Sequence, residues 1–190
     1  MDNVDSSGGF ARLSRVVRRW RAKTGTPDTT GPGSSAGGRS AAAQGTQSDG
    51  VIDSKVPEVA AHLRQYLATD GRKGHEYHGF PSLLLTTKGR RSGKLFRTPL
   101  IYGRDGDSFV VVASNGAKPR NPDWYANLVA NPEATVQLKA ERFAVTARTA
   151  ASDERKRLWK LMAGIFPQYL VYEKQTSRDI PVVVLDPRED

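Results

Sequence analysis

Residues 82–114 read SLLLTTKGRRSGKLFRTPLIYGRDGDSFVVVAS. The stretch contains three apolar runs: SLLLTT (82–87), LFRTPLIY (95–102) and SFVVVAS (108–114). Short apolar runs that are bounded by glycine-containing turns indicate buried β-strands. The Asp-Gly pair within GRDGD (103–107) is typical of a hairpin turn. The stretch therefore predicts three consecutive strands that are joined by short connections.

Further strands are predicted downstream. ATVQLKA (134–140) and FAVTARTA (143–150) alternate apolar and polar residues on either side of Glu141-Arg142. This alternation predicts a second hairpin with its turn at that pair. IPVVVLD (180–186) predicts a final strand.

Three helices complete the pattern. The first covers 57–70, because Pro57 suits the first helical position and Gly71 the position after the end. A second helix is predicted with Asn121 as its N-cap and Pro122 as its first residue. A third is predicted with Ser152 as its cap and DER (153–155), with its acids, in the first turn.

The predicted order is α, β-β-β, α, β-β, α, β. The strands come in hairpins and do not alternate with helices, which argues against a parallel doubly wound sheet. Six short strands with covering helices predict an α+β fold, a small closed or split antiparallel β-barrel.

The amino-terminal part has a different composition. Residues 24–50 contain seven glycines and two prolines, and alanine is their only apolar residue. Such a segment buries too little surface to fold, so residues 1–54 are predicted to be a disordered basic tail and linker. Residues 55–190 are predicted to form the folded domain.

Residues 10–23 read FARLSRVVRRWRAK. Phe10, Leu13, Val17 and Trp20 fall near one helical face, and six Lys or Arg and no acid accompany them. This pattern is typical of a basic amphipathic helix at an anionic membrane surface. A solvated basic tail without a specific partner is the alternative, and the sequence leaves both open.

Charge and composition exclude several classes of protein. The chain has 190 residues, no cysteine and a net charge of +9. Disulfides and thiolate metal sites are therefore excluded, and no apolar stretch reaches the length of a membrane span. The basic surplus suits nucleic acid, anionic lipid or an anionic cofactor. No readable recognition helix supports nucleic acid.

Familiar catalytic motifs are missing. HEYH (75–78) lacks the spacing of the zinc-protease motif HExxH, and no metal site is expected. GRRSGK (89–94) has three residues between its glycines, whereas the phosphate loop of nucleotide-binding proteins needs four. A bound cofactor must therefore carry any difficult chemistry.

Three segments are candidates for a site. KGRRSGKLFR (88–97) holds five cationic residues, and its turn amides and Ser92 could hold phosphate oxygens, or it could be a solvated hairpin tip. ASNG (113–116) could admit a flat ring, with Trp124 and Tyr125 as walls or as core residues. PQYLVYEKQ (167–175) could be an irregular lid that carries Tyr169 and Tyr172, or loop aromatics.

Four pieces, TTKGRRSGK, RTPL, VVASNGA and NPDWYANLVANP, occur in order between residues 86 and 133, and IPVVVLDP follows. With these motifs the chain closely resembles the deazaflavin-dependent nitroreductase family of actinobacteria, from about residue 82 to 187. The resemblance implies a split β-barrel of the flavin-binding type. It also implies coenzyme F-420, an 8-hydroxy-5-deazaflavin with an anionic tail.

The resemblance also implies site residues. Ser114 and Tyr172 are the candidates for polar groups that face the acceptor. The residues that match cofactor contacts are Lys88, Arg90, Arg91, Ser92, Arg97, Thr98, Pro99, Val112, Ala113, Ser114, Asn115, Trp124, Tyr125, Asn127 and Tyr169.

Two positions depart from the family pattern. Phe96 stands where some members have arginine, with Arg97 as the expected substitute. Phe166 stands where some members have tyrosine, so one hydroxyl on the substrate side is lost. Reduction of nitro compounds is therefore an open point.

The expected function is hydride transfer from the reduced deazaflavin to a quinone, a nitroaromatic or an activated alkene. Three alternatives remain: an FMN-dependent oxidoreductase on the same barrel, a cofactor carrier without turnover, and a basic nucleic-acid-binding module. The protein is expected in the cytoplasm. Contact of residues 10–23 with the inner face of the cell membrane is the further possibility, and the oligomeric state is left open.

Overall fold

The computed structural model describes residues 50–188, and the predicted amphipathic helix and most of the linker lie outside them. Between these limits the chain forms eight strands and four helices. In chain order the elements are β1 (Val51–Ile52), α1 (Pro57–Ala68), β2 (Glu76–Tyr77), β3 (Phe80–Lys88), β4 (Leu95–Asp105), β5 (Ser108–Val112), α2 (Asp123–Ala130), β6 (Glu133–Leu138), β7 (Glu141–Thr149), α3 (Ser152–Ile165), α4 (Gln168–Gln175) and β8 (Val182–Pro187).

Six of the strands close into a barrel. Neighbours follow the order β3-β4-β5-β8-β7-β6, and β6 pairs back with β3. Every pairing within this ring is antiparallel. The predicted α+β antiparallel barrel with covering helices is thereby confirmed.

The hairpins form largely as predicted. Asp105 pairs with Ser108 across the β4–β5 turn, where Gly106 has a φ of +59°. The second hairpin turns two residues earlier than predicted: Leu138 pairs with Glu141, and Lys139 takes the left-handed conformation with a φ of +56°. The prediction placed a charged pair in the turn, whereas these residues begin β7.

The domain starts ahead of the predicted boundary at residue 55. Val51 and Ile52 form β1, which pairs in parallel with Leu95 and Phe96 of β4. The segment that leads into α1 is therefore attached to the edge of the barrel, because backbone pairing at the start of β4 holds it there.

The helices pack on two sides of the sheet. Leu63 and Tyr66 of α1 are fully buried against Leu84. Trp159 and Met162 of α3 pack on the apolar residues of β5 and β8. None of the helices in this part of the chain is long and apolar enough to cross a bilayer.

Candidate functional site

A cavity of about 960 Å³ lies against β4. Its other walls come from the β3–β4 loop, the turn after β5, α1, α2 and α4. Cavities that bind cofactors or small substrates span roughly 300–1,000 Å³. The cavity is therefore large enough for an extended cofactor and an acceptor.

The β3–β4 loop is a tight turn closed by backbone hydrogen bonds. The N–H of Gly89 donates to the carbonyl of Lys94, and the N–H of Gly93 donates to the carbonyl of Gly89, both at 2.8 Å. A Cβ atom at Gly89 would lie 2.6 Å from the ring of Phe96, so a larger residue would disrupt the turn. The turn places residues 90–92 on the cavity wall.

Arg90 and Asn127 hold this loop to α2. The guanidinium of Arg90 donates to Asp123 Oδ1 at 3.1 Å and to Asn127 Oδ1 at 3.2 Å, and its backbone N–H donates to the same Asn127 oxygen. Asn127 Nδ2 donates to Thr87 Oγ1 at 3.2 Å. Within residues 50–188 no acid pairs with Arg91, so its cation is available to a ligand.

Arg97 forms an ion pair with an acid of the same domain. Its side chain is buried, and Nε donates to Asp53 Oδ1 at 2.9 Å. Asp53 follows β1 and itself lines the cavity. Asp53 would therefore compete with an anionic cofactor tail for Arg97. The sequence pattern did not predict this ion pair.

The turn after β5 adopts an unusual backbone conformation. Asn115, Gly116 and Ala117 have φ values of +49°, +58° and +62°. For residues with a Cβ this left-handed region is uncommon and strained, and such strain is concentrated at functional sites. Ser114, which begins the turn, lines the cavity.

Arg178 holds this turn in place from the connection between α4 and β8. Its guanidinium donates to carbonyl and amide oxygens rather than to a carboxylate, and desolvation lowers its pKa. Its acceptors in the turn region are the carbonyls of Ala113 (3.2 Å), Ser114 (2.6 Å) and Lys118 (2.9 Å), and Oδ1 of Asn121 (2.6 Å). Asn121 therefore binds Arg178, and Pro122 occupies the N-cap position of α2 that had been predicted for Asn121.

The predicted irregular lid is a helix. Tyr169 and Tyr172 lie three residues apart on α4, and both line the cavity. Tyr169 is only 4% exposed, because it packs edge-on against Phe166 at 5.0 Å and near Trp159 at 6.1 Å. Burial raises the pKa of the Tyr169 hydroxyl well above its usual value. The helix is thus anchored in the core by Tyr169 and does not rest on the barrel as a loop.

Most of the predicted site residues meet at this cavity. Those on its wall are Arg90, Arg91, Ser92, Arg97, Thr98, Pro99, Val112, Ser114, Asn115, Trp124, Asn127, Tyr169 and Tyr172. Lys88 and Ala113 are adjacent in sequence but are not on the wall. Tyr125 lies at a separate, smaller cavity, where its hydroxyl pairs with Thr149 Oγ1 at 3.1 Å. Tyr125 is therefore not on the wall that the other candidates share, and its contact with the cofactor stays a prediction.

Several wall residues were not predicted. Asp53, His62 and Tyr77 line the cavity. Arg178 does not line it but donates to the carbonyl of Ser114, which does. The sequence contained no local signal for Asp53 or Arg178, because their partners lie more than 40 residues away. His62 had no visible partner in the sequence, whereas its Nε2 lies 2.7 Å from the carbonyl oxygen of Gly74.

The donor set fits an anionic planar cofactor better than a metal. No group of His, Cys, Asp or Glu in the part of the chain that the structure describes could hold a metal ion. The loop at residues 89–93, in contrast, combines a glycine cradle with the cation of Arg91 and the hydroxyl of Ser92. Trp124, buried on the same wall, adds a flat apolar surface.

Comparison with known proteins agrees with this site. The family model described as F420H(2)-dependent quinone reductase matches residues 58–187. The F420H(2)-dependent quinone reductase Rv1261c of Mycobacterium tuberculosis strain H37Rv is 43% identical over 137 residues, which cover 70% of this chain and 92% of the relative.

Two solved structures are also similar. An F420-H2 dependent reductase, FDR-A, is 37% identical with a TM-score of 0.53, covering 56% of this chain and 94% of its own. A second structure, described as a domain-swapped dimer, is 34% identical with a TM-score of 0.56, covering 68% of this chain and 95% of its own. The expected deazaflavin family is confirmed: this chain belongs to the F420H(2)-dependent quinone reductase family.

Proposed function

We propose that this domain binds reduced coenzyme F-420 in the cavity along β4 and reduces a quinone there. The observation that carries the proposal is that one cavity joins the cationic turn at residues 90–92 to the hydroxyls of Ser114 and Tyr172. When bound, reduced F-420 supplies the hydride, and the protein supplies binding, orientation and hydrogen bonds.

The anionic tail of the cofactor is assigned to the turn between β3 and β4. The cation of Arg91, the hydroxyl of Ser92 and the turn amides would hold its oxygens. Arg90 and Asn127 act mainly by fixing the turn against α2, since their polar atoms already bond Asp123 and Thr87.

The ring is assigned to the stretch between Val112 and Trp124. The left-handed turn at 115–117 leaves Ser114 and Gly116 on the wall, which allows close approach of a flat ring. Thr98 and Pro99 of β4 and Tyr169 of α4 line the same cavity and are assigned to the ring as well.

Assistance to the acceptor is assigned to two hydroxyls. No residue between 50 and 188 bonds the hydroxyl of Ser114 or of Tyr172, and both residues line the cavity. A hydroxyl that donates to the acceptor oxygen stabilises the negative charge that develops there during hydride transfer. Arg178 holds the backbone that carries Ser114, and the burial of Tyr169 anchors the helix that carries Tyr172.

The test is anaerobic mixing of the protein with reduced F-420 and menadione, followed by the return of oxidised F-420 absorbance. Catalytic oxidation that depends on menadione is the expected result. FMN is the matched cofactor control: tighter binding of FMN than of F-420 would contradict the proposal. Tight binding of F-420 without turnover on any quinone would favour a carrier instead.

For the amino-terminal tail, we propose peripheral binding of residues 10–23 to anionic lipid. The support is the predicted apolar face of Phe10, Leu13, Val17 and Trp20 beside six basic residues. The test compares the full chain with a Leu13→Glu, Trp20→Glu double variant in co-sedimentation with phosphatidylserine vesicles. Loss of sedimentation in the variant is expected, and equal sedimentation of both forms would refute membrane binding.

A further inference from the structure

One end of the cavity has two aromatic walls. Tyr77 of β2 and Phe80 of β3 are paired across their hairpin. Phe80 contacts Phe166 edge-on at 4.8 Å, and Phe166 lies 6.5 Å from Tyr172 of α4. Since Tyr77, Phe166 and Tyr172 all line the cavity, the hairpin and α4 enclose the same end of it.

His62 of α1 is fixed within the hairpin wall. It is only 5% exposed, and its Nε2 lies 2.7 Å from the carbonyl oxygen of Gly74. Because a carbonyl oxygen only accepts, Nε2 carries the proton and donates. The imidazole also stacks on Tyr77 at 4.2 Å and 17°, and the Tyr77 hydroxyl donates to Glu58 Oε1 at 2.8 Å. The ring is therefore held both at its edge and on one face.

The other ring nitrogen of His62, Nδ1, has no hydrogen-bond partner among residues 50–188. A Cβ atom at Gly74 would lie 3.1 Å from Cδ2 and 3.3 Å from Nε2, so this edge of the ring faces Gly74. Nδ1 is the ring atom opposite that edge. Nothing in residues 50–188 bonds Nδ1, and His62 lines the cavity. Among residues 50–188 the buried side-chain nitrogen without a partner is Nδ1 of His75, so Nδ1 of His62 keeps some exposure. On the wall of the cavity, such an atom is open to a ligand.

We propose that Nδ1 of His62 bonds a ring oxygen of the quinone, in an acceptor subsite between α1 and α4. A protonated imidazole donates from Nδ1 to a quinone carbonyl, and a neutral one accepts at Nδ1 from a hydroquinone hydroxyl. The same nitrogen can therefore bond either oxidation state of the acceptor. Tyr77 holds the imidazole in position, and Phe166 and Tyr172 form the facing wall. This inference rests on the proposed quinone reduction.

The test compares His62→Gln with His78→Gln in the full-length protein. Glutamine at position 62 keeps an amide donor for the Gly74 carbonyl but removes Nδ1. His78 is the matched control, since it too contacts Tyr77, edge-on at 4.2 Å, but its side chain is 68% exposed and does not line the cavity. The dissociation constant of menadione is measured by equilibrium dialysis on protein saturated with oxidised F-420, and that of F-420 by fluorescence titration.

His62→Gln should weaken menadione binding roughly two- to tenfold, the value of one hydrogen bond, and leave F-420 binding unchanged. KM for menadione should rise by the same factor, and His78→Gln should match the wild type. An unchanged menadione constant in folded His62→Gln would overturn the inference.

If His62→Gln does not fold, Tyr77→Leu and Tyr77→Phe decide the point. Loss of the ring at position 77 frees the imidazole, so Tyr77→Leu should weaken menadione binding more than Tyr77→Phe, and equal binding in both would also overturn the inference. Failure of the wild type to reduce menadione would instead refute the proposed function itself.

Discussion

Nη2 of Arg178 donates a 2.6 Å hydrogen bond to the carbonyl oxygen of Ser114, across 64 residues of sequence. The same guanidinium reaches the carbonyls of Ala113 and Lys118. The strained turn that borders the cavity is thus held from beyond α4 by Arg178, in addition to the hydrogen bond from Asn115 Nδ2 to the carbonyl of Arg120 within the turn region. Because Ser114 is a candidate contact of the acceptor, Arg178 positions a site residue without lining the cavity itself.

Arg178→Lys should loosen this turn. A lysine ammonium is a single point of charge and cannot span acceptors that are spread over a planar guanidinium. We expect faster amide hydrogen exchange at residues 113–121 and a roughly three- to tenfold weaker dissociation constant for F-420. Arg188→Lys is the control, since Arg188 pairs with Glu133 at an exposed surface. Amide hydrogen exchange at the wild-type rate in Arg178→Lys would show that the turn is stable without the guanidinium of Arg178.

Arg91→Ala should weaken F-420 binding and reduce its dependence on salt. Arg91 is a cation of the β3–β4 turn that lines the cavity and that no acid of residues 50–188 neutralises, and exposed charge pairs are screened by salt. Fluorescence titration at low and high salt measures both effects. Arg142→Ala, a charge removal on exposed β7 away from the cavity, controls for net charge. Equal affinity for Arg91→Ala and wild type at both salt concentrations would show that the turn is a solvated hairpin tip that does not bind the cofactor.

Asp53→Asn should tighten F-420 binding roughly two- to fivefold, the scale of a partly exposed charge. The substitution removes a carboxylate from the cavity wall and removes the charge of Asp53 from its 2.9 Å ion pair with Nε of Arg97. It should also lower the free energy of unfolding, since Arg97 is buried. Titration and urea unfolding measure the two effects. Weaker F-420 binding in the folded variant would mean that Asp53 assists the cofactor.

Tyr172→Phe should lower turnover on menadione roughly two- to tenfold while F-420 affinity stays constant. The variant removes the hydroxyl but keeps the ring that packs near Phe166. Tyr172→Ala should cost more, because it also opens the wall to water. Stopped-flow oxidation of reduced F-420 and a dissociation constant for each variant provide the comparison. Wild-type turnover in both variants would exclude Tyr172 from the acceptor site.

Tyr102→Phe should change the alkaline stability of the domain. Burial raises the pKa of Tyr102 from 10.0 to about 12. A raised pKa stabilises the protonated form in the fold, so the contribution is complete below pH 10 and is lost as the pH rises through 12. At pH 11.5 the wild type should lose about 2 kcal/mol from this group. Urea unfolding at pH 9 and 11.5 should show a smaller decrease for Tyr102→Phe, and parallel decreases would contradict the assignment.

Local rules predicted much of the barrel. The Asp-Gly hairpin at 105–106 and the start of α1 at Pro57 depend on backbone preferences within a few residues, and both are present. The β3–β4 turn was also predicted as a cation-bearing cradle, because glycine and arginine spacing are visible in the sequence. In contrast, α4 was predicted as an irregular stretch, since its helix is stabilised by burial of Tyr169 against the core.

The partners of the site residues needed the tertiary structure. Arg97 reads as a free cation in the sequence, and only closure of β1 onto β4 brings Asp53 to it. The sequence predicts Asn121 as a helix cap, whereas in the fold its side-chain oxygen accepts a hydrogen bond from Arg178. Strand periodicity, turn chemistry and the family motifs are short-range properties, so the sequence by itself determined the barrel and its deazaflavin family. Charge pairing and burial join residues tens of positions apart, so only the folded chain decided which side chains are available to a ligand.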